Sequence, residues 1–311
     1  MPPTDIIRRR RRRHGEEKGQ NKAKLWLQLL IGVLAALVLA TGALITVSAA
    51  ALVGVYNYFA KDLPTPEEIE ERTLTAFETT KIYDRTGQHL LYEVINPEGG
   101  DRTIVPLRDI PIYMRTATVA LEDKTFYTNP GGINFEGLAR ALVNNFMGLP
   151  VQGGSSITAQ LVRNVVMPPE ERFSLSYTRK IKEIILSYEL TRRYPGPEGR
   201  DRILEWYLNT VYYGNNAYGV EAAAKVYFGK RAKDLTLAEA AMLANVPQSP
   251  ALNPIDNPEQ AKARQAIALQ IMVEQGYITQ AQADEAKNAE LSQPQARGEL
   301  KIEAPHFVMY L

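Results

Sequence analysis

The 311-residue chain contains no cysteine, which excludes a disulfide framework, a Cys-ligated zinc or iron–sulfur site, and thiol catalysis. Histidine is nearly absent too: His14, His89 and His306 stand too far apart in sequence to suggest a metal cluster. Nor is there a strong net charge. The balance is +1, but it hides an asymmetry: residues 1–24 carry nine Lys/Arg and three acids, so the 36 basic and 35 acidic residues of the whole leave 27 against 32 elsewhere, about −5. A basic head on a slightly acidic body does not fit a nucleic-acid-binding domain, and no nucleic-acid partner is expected. With 45% apolar and 23% charged residues, disorder and collagen-like repeats are also excluded, and the length allows one large domain or two small ones.

The first positive signal concerns a membrane. From Leu25 to Ala60 there is no charged residue, a run of 36, whereas about 20 apolar helical residues cross a bilayer core. Trp26, Tyr56, Tyr58 and Phe59 lie near its ends, where aromatic rings favour the interface. Arg8–Arg13, Lys18, Lys22 and Lys24 precede it, so the positive-inside rule puts residues 1–24 in the cytoplasm and the chain after about residue 60 outside. A cleaved signal peptide, with Ala49-Ala50-Ala51 as its cleavage site, would have a much shorter apolar region. The arginine run could instead serve nucleic-acid or import-factor binding, but beside a spanning helix a topology signal with anionic-lipid attraction is the simpler reading.

Beyond the anchor, Pro64-Thr65-Pro66 and the acidic run after it read as a polar exit. Thr80–Tyr83 and His89–Val94 flank Asp84-Arg85-Thr86-Gly87 as a hairpin, and Pro97-Glu98-Gly99-Gly100 marks a further turn. After Pro111 the spacing becomes helical, through Ile110, Tyr113, Met114, Ala117 and Leu121. Asn134 could cap a helix carrying Phe135, Leu138, Leu142 and Phe146, and Ser155 the next. Residues 174–194 make a long helix with Ile181, Ile184, Ile185 and Tyr188 on its apolar stripe. Helices over 200–213, 217–228, 236–245, 258–275 and 279–290 follow, with capping boxes at Thr236 and Thr279 and Asn257-Pro258 as a third start. The expected segments are a basic tail (1–24), an anchor (25–60), a membrane-proximal linker and hairpin (61–108), a mainly α domain (109–291) and a linker (292–311) that is Gln/Pro-rich over Ser292–Gly298 and resumes an ordered-looking apolar segment over Leu300–Leu311, so that the chain looks like the front part of something longer.

Four stretches could carry chemistry. Glu122-Asp123 ends an apolar helix and enters a loop with Gly131-Gly132; a carboxylate against apolar walls is tuned toward general acid/base work, although a solvated pair at a helix end reads the same way. Gly153-Gly154-Ser155-Ser156 opens a helix on which Ser156, Gln160 and Arg163 share one face, a phosphate-binding pattern or an ordinary capped helix. Arg179 and Lys180 lie four and three residues before Glu183, on one helical face that is either a salt-bridged surface or a cleft wall. The fourth stretch, from Arg202 through Asn209, Tyr212 and Tyr218 to Phe228-Gly229, is rich in aromatic and small residues and fits tight helix packing.

In this order, the four stretches resemble the glycosyltransferase family 51 domain of bacterial peptidoglycan synthases, present in class A penicillin-binding proteins and in monofunctional transglycosylases; the resemblance covers about residues 75–290. It implies a mainly α, lysozyme-like helical domain with a small β element, preceded by one transmembrane helix in the bacterial cytoplasmic membrane. It also implies polymerisation of lipid II, with inversion at the sugar and release of undecaprenyl pyrophosphate. Glu122 would be the general base and Asp123 its support, with Phe126 and Asn129 in the same motif. Glu183 would stabilise the departing pyrophosphate, directly or through a divalent cation (Mg or Mn), and no organic cofactor is implied. Arg163, Arg179 and Lys180 would neutralise the leaving group, and Ser155, Thr158 and Gln160 would line the donor side. Partners would be lipid II, the nascent glycan strand, the membrane and other cell-wall synthesis or division proteins. The sequence departs from the family pattern at Asn129, where His is usual, at Ser156, where Thr is usual, and at Ala159, where Gln is usual. Those departures put loop positioning near Glu122 and donor affinity in question. A catalytically weak scaffold and a membrane-bound lytic muramidase are the alternative readings; the cation cluster argues against the second. The segment Glu303-Ala-Pro-His-Phe-Val resembles the start of the linker that precedes a transpeptidase domain in the bifunctional class.

Overall fold

A computed structural model describes residues 3–75, 78–94, 100–129, 131–133, 137, 140, 143, 144, 147, 155–172 and 176–292, with the side chains of 3–25 and of Pro169 outside that description. The chain divides into two units, Met1–Lys61 and Asp62–Leu311. The first is one helix, α1 (Pro3–Ala60), so the boundary expected at residue 24 is one of composition and not of backbone. Within it Trp26–Ala60, 35 residues, is long and apolar enough to cross a membrane; at 1.5 Å per residue it spans on the order of 50 Å, more than the hydrocarbon core.

The second unit begins with a helix where a polar exit was expected. In α2 (Pro66–Leu74) Thr65 caps the amide of Glu68 while the Glu68 carboxylate returns to the Thr65 amide, and Pro66 is the first helical residue. Ile69, fully buried, anchors it to the core. The hairpin forms as expected: β1 (Thr80–Tyr83) pairs antiparallel with β2 (Leu90–Val94), Asp84 gathers Thr86, Gln88 and His89 in the turn, and Gly87 supplies the left-handed residue at φ 70°. A second small β element, β3 (Asp101–Arg102), pairs in parallel with β4 (Ala217–Tyr218). At Gly100 (φ 81°) a Cβ would stand 2.5 Å from the Asn216 carbonyl oxygen, so the close approach beside this pair requires glycine.

The helices of this unit are α3 (Ile112–Glu122), α4 (Ile157–Val166), α5 (Pro169–Arg172), α6 (Tyr177–Arg193), α7 (Gly196–Thr210), α8 (Val220–Phe228), α9 (Leu237–Leu243), α10 (Pro258–Glu274) and α11 (Gln280–Asn288). The described domain is therefore mainly α, as expected. The capping boxes at Thr236 and Thr279 form, whereas the side chain of Asn257 makes no capping bond. Ser156, not Ser155, caps α4. The Tyr194-Pro-Gly-Pro turn is the start of α7. On α6 the buried face runs through Glu183, Leu186, Ser187, Leu190 and Thr191; of the expected stripe only Ile185 is buried, and Tyr188 is exposed. Of the expected helix from Asn134, residues 137, 140, 143 and 144 are helical, while Asn134, Phe135, Leu138, Leu142 and Phe146, like the segments at 97–99, 153–154 and 293–311, lie outside the described residues.

Three packings position the site. Helix α4 lies against α6 and α7, while α3 lies against α9 and α10. The chain entering α3 is tied to the end of α7, where Asn209 exchanges hydrogen bonds with the Val105 amide (3.0 Å) and carbonyl (2.8 Å) and Glu205 accepts from the Leu107 amide at 2.6 Å. Met114, Ala117, Ile157, Leu161, Ile203 and Tyr207 fill the core between these helices with no exposure. At about 25 cal/mol per Å² of apolar surface, this burial is the main force fixing the two ends of the site.

Candidate active site

Glu122 is the last residue of α3, and its side chain meets α4. The Gln160 amide donates to Glu122 Oε2 at 2.5 Å, and Tyr207 of α7 donates to Gln160 Oε1 at 3.2 Å. The other carboxylate oxygen, Oε1, is buried and has no hydrogen-bond partner among the described residues. Burial pushes the Glu122 carboxyl above its ordinary 4.5; the Gln160 hydrogen bond, the nearby Gln248 amide and the charges of Arg163 and Arg264 oppose that rise without cancelling it. A carboxylate with one oxygen held, one free and a raised pKa is suited to taking a proton from a hydroxyl.

Asp123 does different work. It is buried, and its Oδ1 accepts from the Thr125 hydroxyl (2.9 Å) and amide (3.2 Å). It also receives the Ile157 amide, the first residue of α4, so it joins the end of α3 to the start of α4 with a negative charge at a helix N-terminus. Burial raises its pKa, and these hydrogen bonds oppose the rise. Phe126 is buried under the Arg200 guanidinium, 5.5 Å from the ring centre. Asn129 closes the following turn on itself: its side-chain oxygen accepts from the Gly131 amide at 3.0 Å, and its side-chain amide donates to the Ile133 carbonyl. Arg200 donates to the Asn129 carbonyl and, at 3.0 Å, to the Thr191 hydroxyl.

The second cluster centres on Glu183 of α6, which is 1% exposed. Arg179 meets Oε1 at 2.7 Å and Lys180 meets Oε2 at 3.2 Å, one cation per oxygen. Lys180 also donates to Ser155 Oγ at 3.0 Å, which joins this cluster to the approach to α4, and Arg179 donates to the Arg172 carbonyl at 3.2 Å. The bland expectation of a solvated, salt-bridged helix face does not hold here, because the carboxylate lies inside the protein. With both oxygens already on cations, this lone carboxylate does not fit a resident divalent ion. Among the described residues no group of three His, Asp or Glu could hold one either.

The expected site residues therefore fall into two groups bridged by α4. Glu122, Gln160 and the charge of Arg163 stand at one, and Ser155, Arg179, Lys180 and Glu183 at the other; Asp123, Phe126 and Asn129 shape the loop between α3 and α4. Gln160 is turned to Glu122 instead of lining a separate donor surface. Thr158 is fully buried, and its hydroxyl has no partner among the described residues, so it lines no open surface there. Ser156 is spent on its cap and on a 2.6 Å bond to the Gly132 carbonyl. Sequence reasoning missed Tyr207, Gln248, Arg264 and Arg200, residues that spacing alone joins neither to Glu122 nor to the loop after it.

A family model described as Transglycosylase matches residues 88–273. Penicillin-binding protein 1A of Neisseria gonorrhoeae is 44% identical over 202 residues, covering 64% of this chain and 24% of that protein. Penicillin-binding protein 1A of Aquifex aeolicus is 40% identical over 234 residues, covering 75% and 30%. The chain thus spans about a quarter of the length of the curated relatives it matches. The crystal structure of penicillin-binding protein 1A from Haemophilus influenzae aligns over 75% of this chain and 23% of its own, with a TM-score of 0.39 and 22% identity, too slight a likeness to carry an argument about the fold.

Proposed function

Because the chain belongs to the transglycosylase family and is thereby a glycosyltransferase of peptidoglycan synthesis, we propose that it polymerises lipid II into β-1,4 glycan strands, releasing undecaprenyl pyrophosphate with inversion at the sugar. The observation that carries this reading is the pairing of a carboxylate with a free oxygen, Glu122 Oε1, with a second carboxylate that holds two cations, Glu183.

In the proposed step the 4-hydroxyl of the acceptor's GlcNAc gives its proton to Glu122 Oε1 as its oxygen attacks the anomeric carbon of the donor strand. The new C–O bond forms as the bond to pyrophosphate breaks, and the electron pair leaves with the pyrophosphate. Lys180 and Arg179 meet that developing charge; Glu183, bonded to both, holds them in place beforehand, which is where electrostatic preorganisation acts. Displacement without a glycosyl-enzyme leaves one inversion. Asp123 keeps the ends of α3 and α4 in register, so Glu122 and Gln160 stay within hydrogen-bond reach. No step is routed through a metal ion.

The span Trp26–Ala60 supports a single-pass membrane protein. The nine Lys/Arg of residues 1–24 support a cytoplasmic amino end and a catalytic unit on the outer face, where lipid II and the growing strand lie. Docking to other cell-wall synthesis or division proteins is part of the same reading.

The test is incubation of the detergent-purified chain with labelled lipid II, read as glycan chains on a gel, beside Glu122→Gln. Polymer from the wild type alone is the expected result. Polymer from both removes Glu122 from the mechanism; none from either, with both proteins folded, supports the scaffold reading, and shortening of preformed glycan supports the muramidase.

A further inference from the structure

We propose that Tyr207 is a positioning residue for the base: by donating to Gln160 it fixes which end of that amide faces Glu122. The inference rests on the reading of Glu122 as the base.

Tyr207 is fully buried, and its hydroxyl has Gln160 Oε1 as its one hydrogen-bond partner among the described residues. An amide can face a neighbour with its NH2 or with its oxygen, and the two orientations fill nearly the same space. In the observed one the NH2 meets Glu122 Oε2 at 2.5 Å and the oxygen accepts from Tyr207 at 3.2 Å, so both ends of the amide and the Tyr207 proton are satisfied. Turned over, Gln160 would set its oxygen against a carboxylate oxygen, and the Tyr207 proton would be stranded in a dry core. Each of those faults is costly in a buried site. Tyr207 therefore biases Gln160 toward the orientation that stabilises ionised Glu122. Once Glu122 has taken a proton that constraint relaxes, because a protonated carboxyl can donate to an amide oxygen.

The other groups acting on Glu122 come from separate elements and stay in place when Tyr207 changes: Arg163 of α4, Arg264 of α10, Gln248 in the turn after α9, and the buried Tyr213 hydroxyl. They set a common background, against which the Tyr207 contribution is read.

Tyr207→Phe keeps the ring and removes only the donor. The pH dependence of polymerisation by the full chain in detergent is expected to show its acid limb moved upward by about one unit. The variant's rate would be about tenfold low on that limb and would recover to within about twofold of wild type on the alkaline plateau. Gln160→Met should move the limb the same way, and the double variant no further, because both substitutions break one relay. The shift can also be read without substrate, as the pH at which the infrared band of a protonated carboxyl, present in wild type and missing from Glu122→Gln, appears. A uniform loss at every pH, or additive shifts in the double variant, overturns the proposal and leaves Tyr207 a packing residue. If Tyr207→Phe fails to fold, the shift in Gln160→Met and its infrared titration decide the matter in the same terms. A wild type that makes no polymer while the infrared shift is present overturns the functional reading and leaves the relay standing.

Discussion

Glu122 and Glu183 are the same residue type in opposite states of satisfaction. Glu183, 1% exposed, has a cation on each oxygen. Glu122 has the Gln160 amide on one oxygen and, among the described residues, no hydrogen-bond partner on the other. The first is an anchor whose charge is fully used in holding Arg179 and Lys180. The second keeps unused capacity, and burial raises its pKa because the ionised form is poorly compensated. If the pair acts as proposed, it is recognised less by its carboxylates than by what each has left to offer.

The sharpest way to break this comparison is to remove the unused capacity. Glu122→Gln should lower polymerisation by about a thousandfold, within the usual range for a lost general base, with helical circular dichroism unchanged. Next comes the cation side: Lys180→Gln should reduce kcat about a hundredfold with a smaller change in KM, measured as initial rates over a range of lipid II concentrations. A rise in KM with kcat unchanged would move Lys180 out of the leaving-group role.

How far this comparison could be read in the sequence depends on which link is asked about. The mainly α domain, the hairpin and the caps at Thr236 and Thr279 follow from local periodicity and turn chemistry, and the structure contains them. Helix α2 carries the same capping signature at Thr65 and Glu68, yet its single buried apolar residue, Ile69, hid it behind a run of glutamates. On α6 hydrophobicity picked Ile181, Ile184, Ile185 and Tyr188, whereas the buried face holds Glu183, Ser187 and Thr191 beside Ile185, Leu186 and Leu190. The rule that apolar residues mark the inside fails where a helix buries its chemistry. Gln160 and Glu122 are 38 residues apart and Tyr207 is 47 from Gln160, so their contacts come from the packing of α3, α4 and α7 and from no local pattern.

A smaller effect is expected from the pH dependence of stability. Because the folded-state pKa of Glu122 is raised, the protonated form is favoured by folding. Its stabilising contribution is therefore present below the ordinary value of 4.5 and is lost as pH rises through the raised one. Thermal melts of wild type and Glu122→Gln should accordingly coincide in acid and separate at neutral pH, with the variant the more stable; a constant gap would mean the substitution acts through packing. The smallest effect belongs to Thr158→Val, which replaces a buried hydroxyl without a partner by a methyl of the same shape. It should change polymerisation by less than about twofold and leave the melting temperature equal or higher. A large rise in KM for lipid II would return Thr158 to the donor-lining role its sequence position suggested.

The most direct measurement is a side-by-side thermal melt of wild type, Glu122→Gln and Glu183→Gln in detergent at neutral pH. Glu122→Gln should melt at or above wild type, since it removes a poorly compensated buried charge. Glu183→Gln should melt well below it, by the equivalent of about 3–5 kcal/mol, because Arg179 and Lys180 lose their shared partner. The reverse order, with Glu122→Gln unstable and Glu183→Gln unaffected, would contradict the division of the two glutamates into base and anchor.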